Sequence, residues 1–133
     1  MEHARGCRVR IIDNLEAARA LFAPALASAR DERLYIAHLD EAQRLIGLRI
    51  RFSTGAAKVE LPVRCIVTDA VSLGSACLIL AHNHPSGDPR PSATDIEATR
   101  SLARVARTIG IAIRDHLIFG GDLVVSFRQC GLL

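Results

Sequence analysis

The stretch ACLILAHNHPSGDPRPSATD, residues 76–95, carries the strongest indication of fold in this chain. Its first six residues are apolar at every position, which is typical of a strand covered on both faces of a sheet. A loop rich in proline, glycine, serine and aspartate follows from position 83 to 91, and a helix is predicted from Ala93 to about Thr108. A buried strand that leads through a polar loop into a helix favours the α/β class.

The segments on either side extend the same alternation of helices and strands. Asp13 or Asn14 is expected to cap the first helix, and Gly74 is expected to end the second, which begins after Pro62. Hydrophobic periodicity predicts helices at 15–27 and 63–71, and strands at 33–39, 45–52, 59–61, 112–119 and 123–127.

Bulk composition predicts a single domain over residues 1–133, with 1–12 as a flexible or short-strand N-terminus. Half of the residues are hydrophobic and 23% are charged, as in ordinary globular proteins. The longest apolar run, 76–81, is far shorter than the roughly 20 residues that span a bilayer, and the first residues lack the apolar core of a signal peptide. A cytoplasmic protein without a membrane partner is therefore expected. The cysteines form no CxxC pair and are interpreted as reduced structural thiols: Cys7, Cys65, Cys77 and Cys130.

His82 and His84 follow the apolar strand directly. Residues two apart in an extended chain point to the same side, so both imidazoles can converge on one ion at the carboxyl end of a central strand. That end of an α/β sheet is where ligand crevices usually form. The alternative is a pair of polar residues that simply close the strand.

Asp95 has two interpretations that are compatible with each other. Ser92-Ala-Thr-Asp95 is a capping-box pattern at a helix start. Helical spacing also places Asp95 on one stripe with apolar residues, opposite the arginines of the same helix, so its carboxylate is expected to face inward, where a cation would favour it. The inward stripe comprises Asp95, Thr99, Leu102, Ala106 and Ile109; the outer face carries Arg100, Arg104 and Arg107.

Two imidazoles and one carboxylate would leave a fourth tetrahedral position free, as in catalytic rather than structural zinc sites. A hydrolytic site also needs a general base, and Glu32 at the head of the first strand is the best candidate. The alternative is a surface glutamate within the polar run 30–33. Ser92 is a candidate hydrogen-bond donor to a developing oxyanion.

The ordered pattern H-x-H-x7-S-x2-D, formed by His82, His84, Ser92 and Asp95, resembles the signature of the JAMM (MPN+) metalloprotease superfamily. The fuller version HNHPSGDP-x-PS-x-x-D is similar to the RadC branch, as are Glu32-x7-Asp40, DHLI at 115–118 and SFRQCGLL at 126–133. This resemblance implies a three-layer α/β/α sandwich with a mixed, cytidine-deaminase-like sheet (a JAB/MPN domain). It implies Zn²⁺ bound by His82, His84 and Asp95, with Glu32 positioning the catalytic water and Ser92 donating to the oxyanion.

The chain departs from the RadC pattern in two respects. No counterpart is expected for the N-terminal helical domain that RadC proteins associate with DNA binding. Val63-Arg64-Cys65 also stands where the branch usually has Pro-Arg-Glu. The predicted function is a zinc-dependent peptidase or isopeptidase acting on a peptide or an isopeptide-linked protein. The alternatives are a DNA-repair-associated nuclease or nucleic-acid processing factor, favoured by the arginine face, and a scaffold without catalysis.

Four further polar residues have open interpretations. Asp88 either forms a turn or touches substrate. Asp115 and His116 either orient a zinc-bound imidazole or satisfy a strand end. His38 is expected to be a core histidine that faces inward from the first strand.

Overall fold

The computed structural model describes residues 9–52 and 61–133. Helices and strands alternate there nearly as predicted, with most boundaries within one residue of the expected ones. The elements are α1 (Leu15–Leu26), β1 (Arg33–Leu39), β2 (Leu45–Phe52), α2 (Val63–Leu73), β3 (Cys77–Asn83), α3 (Ala93–Thr108), β4 (Ala112–Gly120) and β5 (Leu123–Ser126).

The five strands form one mixed sheet in the order β2-β1-β3-β4-β5. β1 runs antiparallel to both β2 and β3, β3 runs parallel to β4, and β4 runs antiparallel to β5. The apolar strand β3 therefore lies at the centre. Its register places Leu34 of β1 and Ile118 of β4 on either side of His82.

Helices cover both faces of the sheet, which confirms the predicted α/β/α sandwich. The core under α1 is built by Phe22 and Leu26 of the helix against alternate strand residues: Tyr35, Ala37, Leu39, Ile79, Ala81, Leu117 and Phe119. The core under α2 and α3 uses the other strand residues: Leu34, Ile36, Leu78 and Leu80 pack against Ile66, Ala70, Leu102, Ala106 and Ile111. Because β3 contributes to both cores, its continuous apolar run is explained.

The helix ends follow the expected local chemistry. Asn14, rather than Asp13, caps α1 through a 2.7 Å hydrogen bond that its side chain accepts from the amide of Ala17. Gly74 ends α2 at φ 69°, a left-handed conformation that suits glycine.

Two expectations about packing are wrong. Ile109 was placed on the inward stripe of α3 but is 46% exposed, because the helix has already ended and Gly110 turns the chain at φ 77°. Ile111 enters the core in its place. Cys65, interpreted as a structural thiol, is a free thiol that lies exposed.

Several expectations fall wholly or partly on residues outside the description. The N-terminus 1–8, Cys7 and most of the strand at 59–61 are among them. Within the described N-terminal residues, Ile11 forms an isolated antiparallel bridge with Arg44. In 9–52 and 61–133, no helix combines the length and hydropathy needed to cross a membrane.

His38 is fully buried on β1, as expected of a core histidine. Its Nδ1 lies 2.9 Å from the hydroxyl of Ser75, while its Nε2 has no hydrogen-bond partner among the residues described. Burial lowers the pKa of His38 to about 4, so the ring is neutral at pH 7.

Candidate metal centre

The last residues of β3 bring two imidazoles together at the carboxyl end of the central strand. The Nε2 atoms of His82 and His84 are 3.1 Å apart. His82 is buried, whereas His84 is partly exposed where the strand opens into the loop. Burial lowers the pKa of His82, which keeps the ring in the neutral form that binds metals.

Asp95 lies in the first turn of α3 and faces both imidazoles. Its Oδ1 is 3.7 Å from Nε2 of His82, and its Oδ2 is 3.3 Å from Nε2 of His84. The same carboxylate completes the predicted capping box: Oδ2 accepts the amide of Ser92 at 2.9 Å, and the hydroxyl of Ser92 accepts the amide of Asp95 at 3.0 Å. Capping therefore points the carboxylate at the histidines, so the two interpretations of Asp95 coexist.

The spacing of these donors fits a tetrahedral ion. Ligand atoms about 2.0–2.1 Å from a tetrahedral zinc are separated from one another by about 3.3–3.4 Å. The two imidazole nitrogens are 3.1 Å apart, and each lies near that distance from a different oxygen of Asp95, Oδ1 at 3.7 Å from His82 and Oδ2 at 3.3 Å from His84. Two nitrogens and a carboxylate oxygen are also the donor types that zinc takes. The residues present thus fit the predicted ion.

Glu32 lies at the same centre, directly before β1. One oxygen of its carboxylate, one ring nitrogen of His82 and one ring nitrogen of His84 all lie within 4.8 Å of one another. Within 9–52 and 61–133, the Asp95 carboxylate lies within 3.7 Å of both imidazoles, whereas the Glu32 carboxylate makes no contact that close with either. Burial raises the pKa of Glu32; the neighbouring Asp95 adds to that effect and His84 opposes it.

Ser92 presents its side chain at the exposed rim of the centre. Its oxygen accepts the amide of Asp95, and this leaves the hydroxyl hydrogen free to be donated outward. The predicted site residues Glu32, His82, His84, Ser92 and Asp95 are therefore gathered at one end of the sheet.

His116 orients His82 from behind. Nδ1 of His82 is 2.7 Å from Nε2 of His116, and Nδ1 of His116 is 2.8 Å from the hydroxyl oxygen of Thr99. Ligation requires a lone pair on Nε2 of His82, so the proton of this ring is on Nδ1, which donates to Nε2 of His116. The Nδ1–H of His116 in turn donates to the hydroxyl oxygen of Thr99. Burial lowers the pKa of His116 well below its ordinary value, and Phe127 stacks on its ring at 4.7 Å.

Asp115 does not share this role, although it precedes His116. Its carboxylate accepts hydrogen bonds from the Ser126 hydroxyl at 2.6 Å and from the amides of His116 and Arg128 at 2.7 and 3.0 Å. Asp115 therefore holds the turn after β5. Of the two residues left open by the sequence, His116 orients an imidazole and Asp115 satisfies local backbone groups.

The loop after β3 orients His84 through its backbone. Nδ1 of His84 donates to the carbonyl oxygen of Asp88 at 2.8 Å. The Asp88 side chain turns away and pairs with Arg90, whose guanidinium lowers the pKa of that carboxyl to about 2. Asp88 thus has the turn role, and its main chain has the second role of fixing the ring of His84.

Gly120, at the end of β4, lets this loop approach the sheet. A Cβ at position 120 would lie 2.6 Å from the nitrogen of Pro89, 2.8 Å from the carbonyl oxygen of Gly87 and 2.9 Å from the carbonyl carbon of Asp88. All three are backbone atoms, so the loop itself would have to move.

We expect Gly120→Ala to weaken metal binding, because moving Asp88 displaces the acceptor that orients His84. The dissociation constant for Zn²⁺, measured by chelator competition, should rise about 10- to 100-fold. The free energy of unfolding should fall by roughly 1–3 kcal/mol, as for other overpacked sites.

Gly121→Ala is the matched control for this prediction. A Cβ there has no atom within 4 Å, but φ of 58° makes the substitution strained. It should lower stability while leaving zinc affinity unchanged. Equal affinities for both variants would show that loop displacement does not act on His84.

A family profile described as RadC-like JAB domain matches residues 12–132, which is nearly the whole chain. The chain belongs to the RadC-like JAB domain family. The resemblance inferred from residues 82–95 is thereby confirmed, and the fold agrees with an α/β JAB domain.

Relatives of this RadC-like JAB domain carry family-level names. The UPF0758 proteins YkfG and YfjY of Escherichia coli (strain K12) are 36% and 35% identical to it, over 81% and 89% of this chain and 68% and 74% of their own. The UPF0758 protein STH371 of Symbiobacterium thermophilum is 39% identical over 86% of this chain. The chain spans 50% of the length of that relative.

Asn83, Thr99 and the backbone of Asp88 contribute to the centre, but the sequence did not single them out for these contacts. Asn83 stands between the two predicted ligands, and Thr99 lies one helical turn after Asp95. Their positions in the sequence could therefore have indicated that both lie near the centre. The Asp88 carbonyl leaves no signal in the sequence, because any residue supplies one.

Proposed function

We propose that this RadC-like JAB domain is a zinc-dependent peptidase or isopeptidase. The observation that carries the proposal is the convergence of His82, His84 and Asp95 at separations of 3.1–3.7 Å, with the Glu32 carboxylate at the same centre. Three protein donors leave one tetrahedral position open, which distinguishes catalytic from structural zinc sites. When bound, zinc lowers the pKa of a coordinated water from about 16 to about 7.

His82, His84 and Asp95 hold the ion in this proposal, each oriented by a different contact. His116 accepts from His82, the Asp88 carbonyl accepts from His84, and the capping box directs Asp95. Pre-oriented ligands of this kind raise metal affinity, because little side-chain freedom is lost on binding.

Glu32 acts as general base and then as general acid. It takes a proton from the attacking water as the water oxygen bonds to the carbonyl carbon, and it passes that proton to the amine nitrogen when the C–N bond breaks. The Ser92 hydroxyl donates a hydrogen bond to the oxyanion that forms between these two steps. The products are a carboxylic acid and an amine, so one water is consumed per bond.

A cleft of about 310 Å³ beside His84 supplies room for a substrate side chain. Its walls come from the end of α1, the segment after it and the loop after β3, and they combine apolar groups such as Leu26, Pro85 and Phe119 with polar ones such as Ser28 and His84. Arg30 lies at the same cleft and offers a cation to an acidic substrate residue.

The test is an activity screen of the zinc-loaded protein against peptides and isopeptide-linked conjugates. We expect one zinc per chain, hydrolysis that stops when a chelator removes the metal, and recovery when zinc is returned. Hydrolysis that survives complete zinc removal, or a loaded protein that holds no metal at micromolar zinc, would contradict the proposal.

A nucleic-acid processing role is the second candidate, and the arginine face of α3 favours it. Arg100, Arg104 and Arg107 are exposed there, and in the described part of the chain none of them pairs with a carboxylate. Unpaired arginines on one face suit phosphate contacts. The same screen should include several DNA forms at two salt concentrations. If the protein shows no salt-dependent binding to any form and cleaves none of them, this candidate is rejected.

A further inference from the structure

Asn83 is buried between the two predicted metal ligands, on the opposite side of the strand. It is 2% exposed and is the last residue of β3. Since neighbouring strand residues point to opposite faces, the amide of Asn83 faces the end of α1, whereas His82 and His84 face Asp95. An uncharged amide in such a place must find hydrogen-bond partners.

All three hydrogen bonds of the Asn83 amide go to the segment that joins α1 to β1 and to the first residue of β1. Its Oδ1 accepts the amide of Arg33 at 2.8 Å. Its Nδ2 donates to the carbonyl oxygens of Asp31 at 2.9 Å and Ala29 at 3.3 Å. Backbone hydrogen bonds continue the helix only at the start of this segment, where the amides of Ala27 and Ala29 donate to the carbonyls of Ala23 and Leu26, so the Asn83 contacts hold the part next to β1.

The contacts lie on both sides of Glu32 in the chain. The carbonyl of Asp31 precedes Glu32 and the amide of Arg33 follows it, so Asn83 holds both peptide units that flank this residue. The antiparallel register explains the position, because Leu34 lies opposite His82 and the next step along each strand brings Arg33 beside Asn83.

We propose that Asn83 is a positioning residue that fixes the Glu32 carboxylate toward the imidazoles of His82 and His84. This inference rests on the proposed function, in which Glu32 is the general base. The short stretch His82-Asn83-His84 then has two roles in the reaction centre: its outer residues are two of the three ligands, and its middle residue sets the distance between the ion and the base.

A purely structural role for Asn83 predicts a different result from a positioning role. A structural anchor would affect stability but not the chemical step once the protein is folded. A positioning residue acts through Glu32, so its effect on kcat should vanish when Glu32 can no longer act as a base. A double-mutant cycle separates the two.

The cycle compares wild type, Asn83→Leu, Glu32→Gln and the double variant, each loaded with zinc. Asn83→Leu keeps the number and branching of the side-chain heavy atoms and removes all three hydrogen bonds. We expect kcat to fall about 100-fold with KM little changed, as for a displaced catalytic group. The double variant should be no slower than Glu32→Gln alone.

Asp40→Ala is the matched control at the other end of β1. The Asp40 carboxylate also holds a chain segment beside that strand, accepting the amides of Ala42 and Arg44 at 2.9 Å each. Its loss should lower stability and leave kcat unchanged. If Asn83→Leu does not fold, Asn83→Ser replaces it, since serine is too short to reach both carbonyls.

Two measurements do not depend on hydrolysis. In the wild type, the Arg33 amide should exchange with solvent as slowly as the central amides of β1; rapid exchange would overturn the inference. With Co²⁺ in place of zinc, Asn83→Leu and Glu32→Gln should alter the visible absorption spectrum in the same direction, and the double variant should match Glu32→Gln.

The outcomes separate this inference from the proposed function. If no substrate is cleaved but the Co²⁺ spectra are coupled, the positioning role stands and the peptidase proposal fails. If wild type is active and the two substitutions reduce kcat independently, Asn83 does not act through Glu32 and the inference is wrong.

Discussion

Glu32→Gln is expected to abolish most of the hydrolytic activity while leaving zinc bound. Glutamine has the same shape as glutamate but cannot take a proton from water, and a positioned general base contributes about 10²- to 10⁴-fold to a rate. We therefore expect kcat to fall by that factor. Zinc stoichiometry should remain at one per chain, because Asp95 and not Glu32 makes the close contacts with the two imidazoles.

Glu97→Gln is the control for the loss of a negative charge. Glu97 lies on α3 two residues after Asp95 but is exposed on the outer side of the helix. Its substitution should change neither kcat nor zinc content. If Glu32→Gln lost zinc together with activity, Glu32 would have to be reassigned as a metal ligand.

Asp95→Asn is expected to weaken zinc binding far more than it weakens the fold. Asparagine keeps a side-chain oxygen for the amide of Ser92, so the capping box is largely retained, but the negative charge facing both imidazoles is lost. Removal of an outer-shell partner typically lowers metal affinity 10- to 100-fold. Because Asp95 is itself a ligand in this proposal, we expect Asp95→Asn to raise the zinc dissociation constant by more than about 100-fold. Chelator competition measures this constant.

Asp95→Ala removes capping as well, and it should lower the free energy of unfolding of the metal-free protein by about 1 kcal/mol. Asn14→Ala reproduces that loss at the start of α1, where Asn14 accepts the amide of Ala17 at 2.7 Å, at the opposite end of the helix from the cleft beside His84. Zinc affinity should be normal in Asn14→Ala. An Asp95→Asn protein that binds zinc like the wild type would remove Asp95 from the ligand set.

The core of the candidate site could be predicted because its geometry is local. His82 and His84 are two residues apart on a strand, and alternation alone directs both to one side. Ser92 and Asp95 are three residues apart at a helix start, where capping chemistry determines their orientation. Glu32 is remote in sequence, and its assignment depended on the family resemblance as well as on its place before the first strand.

Most of the supporting contacts could not be predicted, because they join segments that are far apart in sequence. His116 meets His82 across 34 positions and Asn83 meets Asp31 across 52. Whether Asp115 or His116 would approach the centre depended on the β-bulge between β3 and β4, where the register shifts at Leu78 and Ile79. A one-residue shift moves a side chain to the other face of a sheet.

The C-terminus of α3 shows the same difference between what local sequence predicts and what the tertiary structure determines. Helical spacing correctly placed Thr99, Leu102 and Ala106 in the interior, but it continued the stripe to Ile109, one residue past the end of the helix. Helical periodicity predicts burial only within the helix. After the turn at Gly110 it is Ile111 that is buried in the core.

By itself, the sequence determined the order of the elements, the two-sided burial of β3 and the orientation of the histidine pair, since these follow from local periodicity and capping. The tertiary structure decided which neighbours hold those groups in place: His116 behind His82, the loop against Gly120 behind His84, and Asn83 behind Glu32. The reason is physical. Backbone hydrogen bonds and side-chain alternation act over a few residues, whereas a contact between distant segments exists only once strand register brings them side by side.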